Sequence, residues 1–195
     1  VKTLARYSGL SEEVVDRTNL RIDIHRFCKE LLRDQKRTVG RLDSRYLGID
    51  ANAMTETPDF DPSLAAIRPP YTSTINRYLR FDLGYENDAE YRILGGLNWN
   101  WGSSKDGYPN TSELMRSAFA KNAHLKVYVA LGYYDLATPY FAAQYTLDHL
   151  GLDPSERDRI VTGDFEVGHM VYVHMDGLKK LKSDVDAFYE DTMPK

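Results

Sequence analysis

Apolar residues recur along this chain with two different periods, and the change of period divides it. In the first half the spacing is helical. Ser11 stands before Glu12 and Glu13, which predicts an N-cap followed by first-turn carboxylates that suit the helix dipole. Leu20, Ile24, Phe27, Leu31 and Leu32 then recur at helical intervals and predict a second helix over Asn19–Lys36. Residues 39–49, starting at Val39-Gly-Arg-Leu-Asp-Ser-Arg45, read as extended or hairpin-like. Residues 50–70 carry Pro58, Pro62, Pro69 and Pro70 and read as a long loop. Thr74–Leu83 returns to a helical pattern. Tyr71, Tyr78 and Tyr85, seven apart, predict an aromatic stripe between helices, in preference to a ligand cage. Trp99 and Trp101 sit in a turn-rich segment, on one side of any extended strand there. They line a pocket or cover a core edge, with the cover preferred.

From residue 110 the order becomes helix, strand, helix, strand, helix. Thr111 or Ser112 caps a helix bearing Leu114, Met115, Ala118 and Phe119. Leu125–Leu131 is almost wholly apolar, as a strand covered on both faces would be. Thr138-Pro139 predicts an N-cap with proline at the first helical position, and Gly151 closes that helix. Ile160–Phe165 is the next strand. Leu178, Leu181, Val185 and Phe188 form the stripe of a last helix. Such alternation predicts parallel strands joined by helices, hence an α/β fold class. Two strands leave apolar faces and edges open, so this region is expected to be the end of a larger sheet. The division expected is a helical lid over 1–110 and part of an α/β core over 111–195.

Composition narrows the possibilities. The 195 residues are 42% hydrophobic and 28% charged, in line with a globular chain large enough for one core or a core plus a subdomain. The net charge of -4, with Lys and Arg scattered, gives no electrostatic case for nucleic acid. No apolar run approaches the length of a membrane span, and Val1–Tyr7 lacks the apolar centre of a signal peptide. Val1 as the first residue suggests that others precede it in a parent protein. The lone cysteine, Cys28, excludes an internal disulfide and a Cys-based zinc site and is expected to fill a core. His169 and His174 are five apart, off the spacing that aligns helix ligands, and His25, His124 and His149 lack ligand-like neighbours. No metal is therefore expected. No Walker loop or dinucleotide glycine pattern occurs, so no cofactor is implied. Asn110-Thr-Ser112 fits a glycosylation sequon, a pattern common by chance.

Each late strand ends on an ionisable side chain. Asp135 follows Leu125–Leu131, and His169 follows Ile160–Phe165, with Gly168 expected to give the backbone a tight turn. In an open α/β sheet, chemistry gathers beyond the carboxyl ends of the strands. The separation of 34 positions from Asp135 to His169 allows one helix between neighbouring strands, so the two side chains can meet there. A carboxylate on one imidazole nitrogen fixes the tautomer, stabilises the imidazolium, and leaves the other nitrogen as base. The order Asp, then His, is the second and third part of a Ser–Asp–His set in α/β-hydrolase order. No Gly-x-Ser-x-Gly elbow is present.

Gly132-Tyr-Tyr-Asp-Leu-Ala-Thr-Pro139 and Glu166-Val-Gly-His-Met170 resemble the end of the serine carboxypeptidase family, especially its bacterial branch. Residues 39–45 are similar to lid sequence of those members. The resemblance implies an α/β-hydrolase fold with a mostly helical lid before the strand bearing the Asp. It implies removal of the last residue of a peptide by a Ser–Asp–His mechanism, with Asp135 and His169 catalytic and Met170 as apolar pocket wall near the leaving residue. It implies a secreted or periplasmic setting. Val171-Tyr172 stands where the family often has a proline, a change expected at the pocket rim. The family's serine elbow, oxyanion-hole amides and carboxylate-binding Asn and Glu have no counterpart here. The chain alone is thus expected to be inactive. Its expected partners are a peptide substrate and the missing N-terminal part of the core, or self-association that covers the sheet edge. Glu166 reads as a solvated strand-end residue, in preference to a carboxylate supporting His169. The competing readings are a non-catalytic interaction module and another α/β-hydrolase, such as an esterase.

Overall fold

The computed structural model describes residues 1–93, 98, 100 and 110–193. Trp99 and Trp101 lie outside them. Helices and strands are mixed, and the strands form two small sheets. The elements in chain order are α1 (Lys2–Ser8), α2 (Glu12–Arg17), α3 (Ile24–Glu30), β1 (Thr38–Val39), β2 (Leu47–Gly48), α4 (Pro62–Arg77), α5 (Ser112–Lys121), β3 (Val127–Gly132), α6 (Tyr140–Asp148), β4 (Ile160–Phe165) and α7 (Met175–Thr192).

Ser11 caps α2, its hydroxyl accepting Val14 N–H at 3.2 Å. The helix expected from Asn19 begins instead at Ile24. Asn19 and Leu20 take left-handed φ angles of 51° and 64°, which a helix cannot pass through. Asp23 then restarts the chain as N-cap, accepting from His25 and Arg26 N–H. Ala5, Leu10 and Val15 form a small core with Phe27 and Leu31 against it. Cys28 fills the neighbouring interior, 1% exposed, and burial with the nearby Asp61 charge pushes its thiol up to about 11. It is therefore an inert core thiol.

The stretch expected to be loop over residues 50–70 becomes helical at Pro62. Asp61 is the N-cap and accepts from Ser63 N–H at 2.9 Å, while proline occupies the first turn, where its missing N–H costs nothing. Pro69 and Pro70 lie inside α4 and leave the carbonyls of Ala65 and Ala66 without partners from the helix. These four residues are exposed, so water can take the freed carbonyls. A π-helical turn, Tyr78–Asp82, extends α4. The tyrosines expected to pack one helix on another are about half open among the described residues. Tyr71, Tyr78 and Tyr85 are 44%, 47% and 55% exposed. What remains irregular, 50–60, is tied from inside. Lys29, buried on α3, pairs with the buried Asp50 carboxylate and donates to Asn52 C=O at 2.9 Å.

β3 and β4 pair in parallel, from Val127↔Ile160 to Gly132↔Phe165. This register puts Tyr128, Ala130, Val161, Gly163 and Phe165 on one face, and α7 lies over it. Phe165 and Val167 pack with Val171 and Leu181. The Tyr128 hydroxyl donates to Asp184 of α7 at 2.9 Å. Burial and that carboxylate hold its phenol far above the usual range. A Cβ at Gly163 would meet the Tyr128 hydroxyl, so a larger residue there would displace the Tyr128–Asp184 contact. Coverage is thinner than the apolar sequence led us to expect. Val127, Tyr128 and Val129 are half-buried, Ala130 is exposed, and α6 buries none of its residues, with Phe141 67% and Tyr145 57% exposed. Among the described residues, each strand of this sheet has one partner and one open edge. No helix of the described residues is long and apolar enough to cross a membrane.

Lys29→Ala strands Asp50 as a buried, uncompensated charge, and the expected loss is about 3–5 kcal/mol in urea unfolding. A loss within about 0.5 kcal/mol, the range of ordinary surface changes, would mean that the pair does not close the 50–60 loop.

Candidate active site

Asp135 and His169 meet at the carboxyl ends of the paired strands, three and four residues past Gly132 and Phe165 respectively. The His169 Nδ1 lies 2.8 Å from Asp135 Oδ2. Asp135 is buried at 5% exposure, whereas the His169 side chain is 42% exposed. The carboxylate is thus withdrawn from water while the imidazole remains open to a reactant. With a proton on Nδ1 shared with Asp135, Nε2 is left with its lone pair free.

The carboxylate is fully occupied. Its Oδ1 accepts the backbone N–H groups of Ala137 at 2.8 Å and Thr138 at 2.9 Å. Its Oδ2 accepts the Thr138 hydroxyl at 2.6 Å as well as the imidazole. Four donors on a carboxylate with about four lone-pair sites fix it in rotation. Thr138 therefore differs from its expected part. It makes no side-chain cap for α6, whose N-cap is Pro139, because its hydroxyl is committed to Asp135 and stands 3.2 Å from His169 Nδ1.

The segment between β1 and β2 holds both loops in place. His169 N–H donates to Leu42 C=O at 2.7 Å and Leu136 N–H to Arg41 C=O at 3.0 Å. Ser44 N–H donates to Tyr134 C=O at 2.9 Å. Asp43, 6% exposed, accepts Gly168 N–H at 3.1 Å and a two-pronged contact from Arg45. Arg45 also donates to Glu166 C=O at 3.0 Å, and its guanidinium stands 4.8 Å from the Tyr134 ring centre. The hydrogen bonds to the Asp43 carboxylate raise the Arg45 pKa further above its ordinary value. Gly168 is required by close approach. A Cβ there would fall 2.3 Å from Leu42 O and 2.4 Å from Asp43 Cβ. It is not among the glycines of positive φ, so the tight turn expected of it is not the reason for the glycine.

Beside the imidazole is a cleft of about 690 Å³. Its walls include Leu64, Ile67, Tyr71 and Ile75 of α4, together with Met170 and Tyr172. Met170 thus stands where a pocket wall was expected. Glu166 is exposed and offers the site only its carbonyl. Asp43, Arg45 and Thr138 were not singled out in the sequence. Thr138 carried a competing signal, Thr-Pro before a helix. Asp43 and Arg45 lie more than 120 residues from the groups they hold. Among the described residues, no three His, Cys, Asp or Glu are grouped to hold a metal ion.

Asp43→Ala leaves Gly168 N–H without its acceptor in a buried place, at an expected cost of about 1–3 kcal/mol in urea unfolding. Hydrogen exchange of the Gly168 amide should quicken with it. Unchanged stability and unchanged exchange would show that Asp43 does not fasten the His169 loop.

No protein-family model, no curated protein and no solved structure matches this chain, so the chemistry of the site is read from its own geometry.

Proposed function

We propose that this chain is the C-terminal portion of a serine carboxypeptidase-like α/β-hydrolase, contributing the base and its orienting carboxylate to a site completed from outside it. One observation carries the reading: His169 Nδ1 is 2.8 Å from a buried Asp135 at the carboxyl ends of adjacent parallel strands. The wording of Gly132–Pro139 and Glu166–Met170 supports the carboxypeptidase class over an esterase. The open edges of the β3–β4 sheet and the uncovered α6 support a missing remainder of the core.

In the reaction so assigned, a serine hydroxyl supplied by the rest of the core attacks the carbonyl carbon of the last peptide bond. Its proton passes to His169 Nε2 as the C–O bond forms, and the carbonyl electron pair becomes the oxyanion. Collapse of the oxyanion breaks the C–N bond, and the imidazolium returns that proton to the departing amine. Water then repeats the sequence on the acyl-enzyme, its proton again taken by His169, and regenerates the serine. Asp135 orients the ring throughout. Its other three donors keep it aligned, so the imidazolium is stabilised with little reorganisation.

The chain alone has no nucleophile elbow, and turnover of a blocked dipeptide with a free C-terminus is expected to stay at background. A longer protein containing this chain is expected to cleave that dipeptide, with kcat falling by about 10⁴ on Asp135→Asn. Cleavage indifferent to Asp135→Asn and His169→Ala would refute the assignment. Cleavage of esters alone would move it to an esterase. A longer protein with no hydrolytic activity, together with a monodisperse monomer of this chain in light scattering, would favour the interaction module.

A further inference from the structure

Resting on the hydrolase reading of the dyad, we propose that the cleft beside His169 selects a bulky, apolar, non-basic residue at the bond to be cleaved. Three features of the cleft point the same way. The first is size: about 690 Å³ accommodates a Phe or Leu side chain together with the backbone on either side of it. The second is surface. Leu64, Ile67, Tyr71 and Ile75 present one flank of α4, and Met170 and Tyr172 add to the same lining. Tyr71, 44% exposed, belongs to this wall.

The third feature is charge. Arg41 and Arg92 line the cleft together with His169, and no Asp or Glu is among its described lining residues. Asp61 partly offsets Arg41, its Oδ2 lying 3.9 Å from Arg41 Nε. Among the described residues, no carboxylate forms an ion pair with Arg92. A Lys or Arg side chain entering the cleft would give up water for a site whose described lining carries two guanidinium groups and no carboxylate, and burying an unpaired charge is costly. A neutral apolar side chain leaves only apolar surface behind and makes contacts along its length. The same charge makes an acidic side chain tolerable. Tyr71 contributes apolar wall to the cleft, and Arg41 and Arg92 contribute its positive charge.

The test uses the chain with ¹³C-methyl methionine, reading the Met170 methyl resonance during titration with free amino acids, which are the leaving groups of the proposed reaction. L-Phenylalanine and L-leucine are expected to shift Met170 saturably, and L-lysine is expected to bind at least about tenfold more weakly, the equivalent of about 1.4 kcal/mol. Arg92→Glu should narrow or reverse the gap between phenylalanine and lysine, and Tyr71→Ala should weaken phenylalanine alone. Equal response to lysine and phenylalanine, or none to phenylalanine, overturns the proposal. Because binding needs no nucleophile, that failure is separable from failure of the hydrolase reading. The hydrolase reading fails instead if the longer protein turns over its substrate without Asp135.

Discussion

The structure depends on the ion pair between Asp43 and Arg45, because it joins two parts of the chain that share no local contact. Asp43 accepts from the backbone of Gly168, and Arg45 reaches the carbonyl of Glu166, more than 120 residues away. Around the pair, Arg41 and Leu42 offer carbonyls to Leu136 and His169. The loops after β3 and β4 are therefore clamped from the same side by one short segment. Isolated, each would be a surface connection free to move. The partly buried pair is not a large source of stability by itself, since desolvation offsets much of its attraction. Its value lies in geometry: it fixes where two loops stand relative to each other.

That geometry makes a chemical arrangement out of common residues. An Asp and a His on adjacent strand ends are an ordinary event, and their meeting at 2.8 Å needs both loops at the right height. The parallel register sets the first part, ending β3 and β4 level at Gly132 and Phe165. Close approach sets the second. Gly132 and Gly168 have no room for a Cβ against the neighbouring backbone. Donors saturate the carboxylate from its own loop, so its orientation does not depend on the imidazole. The imidazole in turn keeps one nitrogen toward the cleft.

Where apolar spacing and local capping decide the outcome, the sequence was readable. Ser11 caps α2, β4 occupies 160–165, and α7 carries Leu178, Leu181, Val185 and Phe188. The parallel pairing and the Asp–His meeting followed from strand order. Reading failed where a tertiary or solvent term outweighed local preference. Pro69 and Pro70 argued against helix, but the carbonyls they free face water, and α4 passes through them. Asn19 and Leu20 look helical by spacing yet take left-handed angles. Thr138 looked like a helix cap, but its hydroxyl is on Asp135. The clamp at 41–45 was visible only as lid-like wording, because no local pattern records a contact across that much chain.

The most direct measurement is the proton spectrum of the His169 ring in this chain, observed far downfield where hydrogen-bonded imidazole N–H protons appear. The account predicts a protected Nδ1–H resonance that disappears in Asp135→Asn while the amide spectrum keeps its native dispersion. It also predicts ¹⁵N shifts of a protonated Nδ1 and a free Nε2 when the ring is neutral. A ring protonated on Nε2, or a resonance indifferent to Asp135→Asn, would contradict it.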